Sequence, residues 1–434
     1  MRQSGHQPDP PSGNESSGHA DPVAFAGHCR DAALGLRSAL LELYHAAGAD
    51  PARPQEVSRR FKLNKNLTWK IARLLQSDDA FDAAPLIPGA NGLRIVLEAM
   101  RAAGAPAEVV NKARSAAAEF QRMVEAHAGD RATLELLLDA TTGAKSLEVS
   151  RKLAYRGNSG VWGLQARLRL TAHFLAPCAE DPSRLDIALV AGLFDLRRLR
   201  PLPPWPLFRF MRYRDDASPE TRPWRMEPIE RPAPGGATAS AEHTGTAAAS
   251  WLMRSWCSPQ EPALVAIERD GEVVFELGDG AIGRTGDTSC VFGFIERNAV
   301  PRHGDAENHV GEVSSVITLP IETLLFDLFV HRDLPEAHSP QASIVGRPSG
   351  ALAFEPVDRD RHMLPMGERM IEVGGRPPRV ATPLLPRYEQ LVATAFARAG
   401  WNAEDFVVRR LVVPYPPMPS TVVLRYELPR RAGT

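Results

Sequence analysis

Residues 53–75 read RPQEVSRRFKLNKNLTWKIARLL, and two apolar periodicities run through them with a break between. Val57 and Phe61, four apart, give one short helix an inward face, and Pro54 suits its first turn, where a missing N–H costs nothing. The letters KLN then mark a turn in which Leu63 can anchor in a core and Asn64 can cap the next helix. In that second helix Leu67, Ile71 and Leu74 lie within about 60° of one another at 100° per residue. The opposite face carries Lys65, Asn66, Trp69, Arg73 and Gln76, with Thr68 and Lys70 on its flanks.

Charge singles out the same stretch. From Arg53 to Gln76 there are seven basic residues (Arg53, Arg59, Arg60, Lys62, Lys65, Lys70, Arg73) and one acid, Glu56, a local +6 in a chain of net charge −1. A nearly neutral chain does not coat nucleic acid or an anionic membrane over its whole surface, so such contact has to come from a local patch. Neutralising phosphates releases condensed counterions, and Arg59, Arg60, Lys62 and Lys70 suit that task and the setting of register. Asn66 and Arg73 suit bidentate contacts with adenine and guanine edges in the major groove. Trp69 fits a sugar or a thymine methyl, or else packs on the next helix and rotates this face assignment. The competing reading is a small trihelical core with a solvated basic side.

The stretch resembles the helix-turn-helix of bacterial transcription regulators over residues 33 to 77. Val57, Phe61, Leu63 and Ile71 stand at the motif's apolar positions, and Ser58 is the small residue at the helix contact. It departs at Lys62, where a turn glycine is common, and at Thr68, where an aliphatic is common; SDDAFDAAPLIPGANGL shows little of a winged hairpin. The resemblance implies sequence-specific binding of double-stranded DNA in transcription regulation. Its DNA-binding set would be Arg59, Arg60, Lys62, Lys65, Asn66, Thr68, Trp69, Lys70 and Arg73. It leaves room for a small-molecule effector and for a homodimer.

Around this stretch the chain of 434 residues has room for several domains, and the expected fold class is multidomain: an all-α N-terminal domain followed by an α+β, β-rich C-terminal region. Residues 1–24, rich in Gly, Pro, Ser and Asp, are expected as a disordered tail. Residues 25–145 are expected as five or six helices. Leu36, Leu40, Leu43 and Ala47 form one stripe, and Val109, Ala113, Ala116, Phe120, Met123 and Ala126 another. Residues 146–231 are expected as an α+β middle segment, in which LQARLRLTAHFLAP alternates like a half-buried strand. A linker at 232–249 and a β-rich domain at 250–434 complete the division. In the latter, Asp270-Gly271 signals a hairpin, RYEQLVATAFARAG a helix, and RRLVVPYPPMPSTVVLRYEL a terminal hairpin.

Other motifs lack their structural context. Gly278, Gly280 and Gly283 spell GxGxxG, yet the residues after Gly283 read as a turn and a strand rather than the helix a dinucleotide requires. HRDL at 331–334 has no accompanying DFG. His303, Asp305, Glu307 and His309 alternate, and in an extended segment would share a side suited to a divalent metal; a polar loop is the competing reading, so no metal and no cofactor is expected. Cys29, Cys178, Cys257 and Cys290 are too scattered for a zinc site. No apolar run is long enough to span a bilayer and the N-terminal stretch lacks a signal's apolar core, so the expectation is a cytoplasmic protein with no membrane partner. Two alternatives stand beside the DNA reading: an enzyme or ligand- or metal-binding protein acting through its β-rich part, and a protein-interaction scaffold using the basic helix pair.

Overall fold

The computed structural model describes residues 22–77, 83–142, 144–211, 225–230, 251–259, 264–269, 272–305, 308–346 and 360–430. The chain divides into two compact units, residues 1–143 and 144–434. Helices fill the first, and strands dominate the second.

The first unit opens with helix α1 (Pro22–Ala46), so the last residues of the expected tail are already helical. Leu36, Leu40, Leu43 and Ala47 are all buried, and each fully buried leucine contributes about 1.5–3 kcal/mol. Beyond the helix Gly48 turns the chain at φ 65°, and the Ala49 N–H reaches the Tyr44 carbonyl at 2.8 Å, satisfying a carbonyl that the helix leaves open. Helices α2 (Pro54–Arg60), α3 (Lys65–Gln76), α4 (Ala90–Ala102), α5 (Ala107–His127) and α6 (Arg131–Thr142) follow. One apolar core joins α1 to the others. Along α5 the buried set is Val110, Ala113, Phe120, Met123 and Val124, while Val109 and Ala116 are half-buried and Ala126 is exposed. The expected stripe is rotated because α5 packs against both α1 and α4, which widens and shifts its buried arc.

The second unit begins with helix α7 (Ala144–Trp162), which packs on the sheet that comes after it. That sheet has seven strands in the order β12-β13-β9-β1-β2-β7-β4. They are β1 (Leu164–Pro177), β2 (Arg184–Arg198), β4 (Arg225–Pro228), β7 (Thr288–Pro301), β9 (Ile321–His331), β12 (Ile371–Val373) and β13 (Phe406–Pro414). Only β1 and β9 run parallel; the other pairings are antiparallel. A four-stranded sheet joins β11 (Met363–Leu364), β10 (Gln341–Val345), β14 (Ser420–Glu427) and β8 (Val310–Ile317), and a three-stranded one joins β3 (Trp205–Met211), β6 (Glu272–Leu277) and β5 (Leu264–Arg269).

Leu168, Leu170, Ala172 and Phe174 do share one face of β1, in a core with Leu391, Ala395 and Phe396 of helix α8 (Tyr388–Ala399). Its other face is buried too, through Arg169, Thr171 and Leu175. A central strand flanked on both faces differs from the half-buried one expected, and its polar residues answer one another instead of water: the Thr171 and Ser315 hydroxyls meet at 2.7 Å. Likewise Asp327, fully buried, receives Arg410 Nε at 2.8 Å and the Tyr388 hydroxyl at 2.9 Å, the pairing that makes a buried charge tolerable.

Two further expectations change. Strands from the expected middle segment, β1 and β2, pair directly with β9 and β7, so residues on both sides of 232–249 build one unit; the linker itself lies outside the described residues. The terminal hairpin does not form: β13 pairs with β9 and β12, whereas β14 pairs with β10 and β8. Between them Tyr415, at φ 46°, donates its N–H to the Glu322 carbonyl at 2.7 Å, and the chain leaves one sheet for the other. Strands β5 and β6 pair antiparallel with Arg269 opposite Glu272; the Asp270-Gly271 turn lies outside the described residues.

Candidate nucleic-acid interface

Helix α2 starts with buried Pro54 and ends where Phe61 donates its N–H to the Val57 carbonyl at 3.0 Å. Lys62 then takes a left-handed conformation, φ 53°. This is the position where a turn glycine is common, and a lysine there carries a backbone cost of about 1–3 kcal/mol. Leu63 is buried beneath the turn. Asn64 caps α3, its Oδ1 accepting the Asn66 N–H at 2.8 Å, a bond whose loss typically costs about 1 kcal/mol.

The sides of α3 separate sharply. Thr68, Ile71, Ala72, Leu74 and Leu75 are buried, and Lys65, Asn66, Trp69, Lys70, Arg73 and Gln76 are exposed. Trp69 is 50% exposed, which settles its side of the helix: it faces out. Leu67, half-buried, lies against the start of α4, where a Cβ on Gly92 would come within 3.3 Å of Leu67 Cδ1 and 3.0 Å of Pro88 Cβ. From α1, Arg37 donates Nη2 to the Leu75 carbonyl at 3.1 Å and so closes the far end of α3. Nothing in the local sequence around Arg37 signals that role, because its partner lies 38 residues away.

Two members of the expected set have other work. Thr68 is only 1% exposed, its hydroxyl donating to the Lys65 carbonyl at 2.9 Å. Such back-bonding lets a hydroxyl sit in a core without stranding a polar atom, so Thr68 is removed from the interface. Arg60 donates Nη1 to the Gly48 carbonyl at 2.6 Å and Nη2 to the Ala47 carbonyl at 3.2 Å, and its guanidinium lies 5.0 Å from the Phe61 ring centroid; it ties α2 to the end of α1. Arg53 is balanced by Asp50 at 3.6 Å and Glu56 at 3.4 Å. Arg59, Lys62, Lys65, Lys70 and Arg73 are exposed with no carboxylate partner among the described residues. Together they bracket Asn66 and Trp69. At 1.5 Å per residue α3 is about 18 Å long, a rod of a size the major groove admits.

The remaining motifs stay apart from this site. After Gly283 the chain makes a short 3₁₀ turn, Arg284–Gly286, and enters β7, with no helix to receive a pyrophosphate. Arg332 of the HRDL letters pairs with Asp405 at 3.0 Å. Asp305 Oδ1 accepts the Asn308 N–H at 2.6 Å, an approach that the extended run aligning His303, Asp305 and His309 would not allow; Glu307 lies outside the described residues. Among the described residues no group of three or more His, Cys, Asp or Glu is gathered as a metal site. Also among them, no helix is long and apolar enough to cross a membrane. The second unit holds a cavity of about 240 Å³ lined by Phe194, Trp256, Cys257, Ser289, Leu385 and Arg387 among others; Arg387 stacks on Trp256, guanidinium to ring centroid 4.5 Å.

The chain matches no protein-family model, no curated protein and no solved structure.

Proposed function

We propose that the helical unit binds double-stranded DNA sequence-specifically, as a helix-turn-helix module of a cytoplasmic transcription regulator. The observation that carries this reading is the outward face of α3, where Lys65, Asn66, Trp69, Lys70 and Arg73 stand exposed together. On this reading Asn66 and Arg73 contact base edges, Trp69 contacts sugar or a thymine methyl, and Arg59, Lys62, Lys65 and Lys70 grip phosphates. The second unit senses a small effector or mediates assembly. What supports sensing is the cavity beside Trp256 and Arg387, whose guanidinium suits an anionic group.

Titrating labelled duplexes at several salt concentrations tests the proposal. The double variant Lys70→Ala, Arg73→Ala should bind more weakly and show a shallower salt dependence, by about 0.9 in log–log slope for each phosphate no longer neutralised. Equal retention of wild type and variant on DNA and on heparin overturns it.

A further inference from the structure

Three sheets meet at Arg169 of β1. The residue is only 7% exposed, and its Nε donates to the hydroxyl of Ser315, on β8 of the four-stranded sheet, at 3.0 Å. Phe208, on β3 of the three-stranded sheet, holds its ring centroid 5.0 Å from the guanidinium carbon. Arg151 and Arg410 are as deeply buried, and each has a carboxylate, Glu368 at 2.6 Å and Asp327 at 2.7 Å. Arg169 has none among the described residues. Burial lowers its guanidinium to about 10, so at neutral pH it is still charged. A buried cation without a partner is strongly destabilising, and a ring face offsets only part of that cost.

Counting hydrogens shows what the cluster lacks. Arg169 Nη1 is buried and bonds to nothing in the chain. The hydroxyls of Ser315 and Thr171 meet at 2.7 Å; they own two hydrogens and that contact uses one, so whichever donates, a second O–H remains without an acceptor. Donors are therefore in surplus around a single positive charge. The neighbouring ionisable groups do not answer it. Cys290 acts on the guanidinium, but burial and then Cys257 raise its thiol, which stays neutral. His173, four residues on along β1, is neutral too, since burial brings its imidazole down to about 4. An acceptor-only group of one negative charge satisfies both the donors and the cation. A phosphate dianion would leave a buried charge of its own. We propose that Arg169, with the free hydroxyl hydrogen of the Thr171–Ser315 pair, binds the carboxylate of a small monoanion where the three sheets join. None of these residues lines the cavity beside Trp256, and the proposal stands apart from the DNA reading.

Thermal melting of the full chain at neutral pH tests it, with sodium acetate as the probe and sodium chloride at equal ionic strength as the control. Wild type should melt higher in acetate, saturably, and should respond less to chloride and to inorganic phosphate. Arg169→Met should lose the acetate response. Ser315→Ala keeps the charge and should need about ten times more acetate for the same effect, the loss of one charge-assisted contact; this variant carries the test if Arg169→Met does not fold. A wild type indifferent to acetate, an equal shift with chloride, or a Ser315→Ala chain that responds like wild type overturns the proposal.

Discussion

Ser58 and Leu63 hold each other twice: the Ser58 hydroxyl donates to the Leu63 carbonyl at 2.7 Å, and the Leu63 N–H donates to the Ser58 carbonyl at 3.0 Å. The pair clamps the turn through strained Lys62 and thereby sets the angle at which α3 leaves α2. Ser58→Ala leaves a buried carbonyl without its side-chain partner, and the expected loss is about 1–3 kcal/mol in urea denaturation. An unchanged denaturation midpoint would show that the clamp contributes nothing.

Arg59 and Arg60 are adjacent in sequence and should behave oppositely. Arg59→Ala is expected to leave thermal stability unchanged and to weaken duplex binding. Arg60→Ala removes the bonds to the Ala47 and Gly48 carbonyls and should lower stability by about 1 kcal/mol. Calorimetric melting beside a binding titration separates them.

Asn66 and Thr68 lie two residues apart on α3 and provide a second contrast. Selection of duplexes from a random pool should show Asn66→Ala relaxing preference at one base position, a loss of about 1–3 kcal/mol of discrimination. Thr68→Val, buried away from the face, should return the wild-type preference. A shifted preference in Thr68→Val would place that residue back among the contacts.

In the second unit two half-buried groups tilt stability against pH in opposite senses. Burial pushes the Glu296 carboxyl up from 4.5 to about 7, so the folded chain keeps a proton that the unfolded chain releases, and stability falls as pH rises from about 4.5 to 7. Burial pushes His173 down from 6.5 to about 4, so the unfolded chain binds the extra proton, and stability falls as pH drops from about 6.5 to 4. Glu296→Gln removes the first slope and leaves the second. Its melting temperature should therefore rise more steeply than wild type between pH 4.5 and 7, and parallel curves would refute the assignment.

Legibility in the sequence tracks the range of the contacts. The α1 stripe, the Asn64 cap and the outward side of α3 depend on residues a few positions apart, and their spacing alone reveals them. Thr68 is misplaced by residue type, which suggests a polar surface, whereas its angular position puts it beside Ile71 and Leu75. The tie that Arg60 makes to α1 and the separation of β13 from β14 are invisible for a different reason. Each depends on a partner distant in sequence, and strand alternation is the same whichever neighbour completes the ladder.

Strand β1 has its two neighbours at very different distances along the chain: Leu170 faces Gly192 of β2 on one side and Leu325 of β9 on the other. Emerging from a ribosome, the nascent polypeptide acquires the first of these almost at once and the second only after six further strands, β3 to β8, have been translated. The helical unit is by then complete and free to close its own core, while the middle of the great sheet waits with an open apolar edge. Contacts of such separation slow folding, and here β9 must be made before the middle of the sheet can close, and β13 before β9 itself has both neighbours.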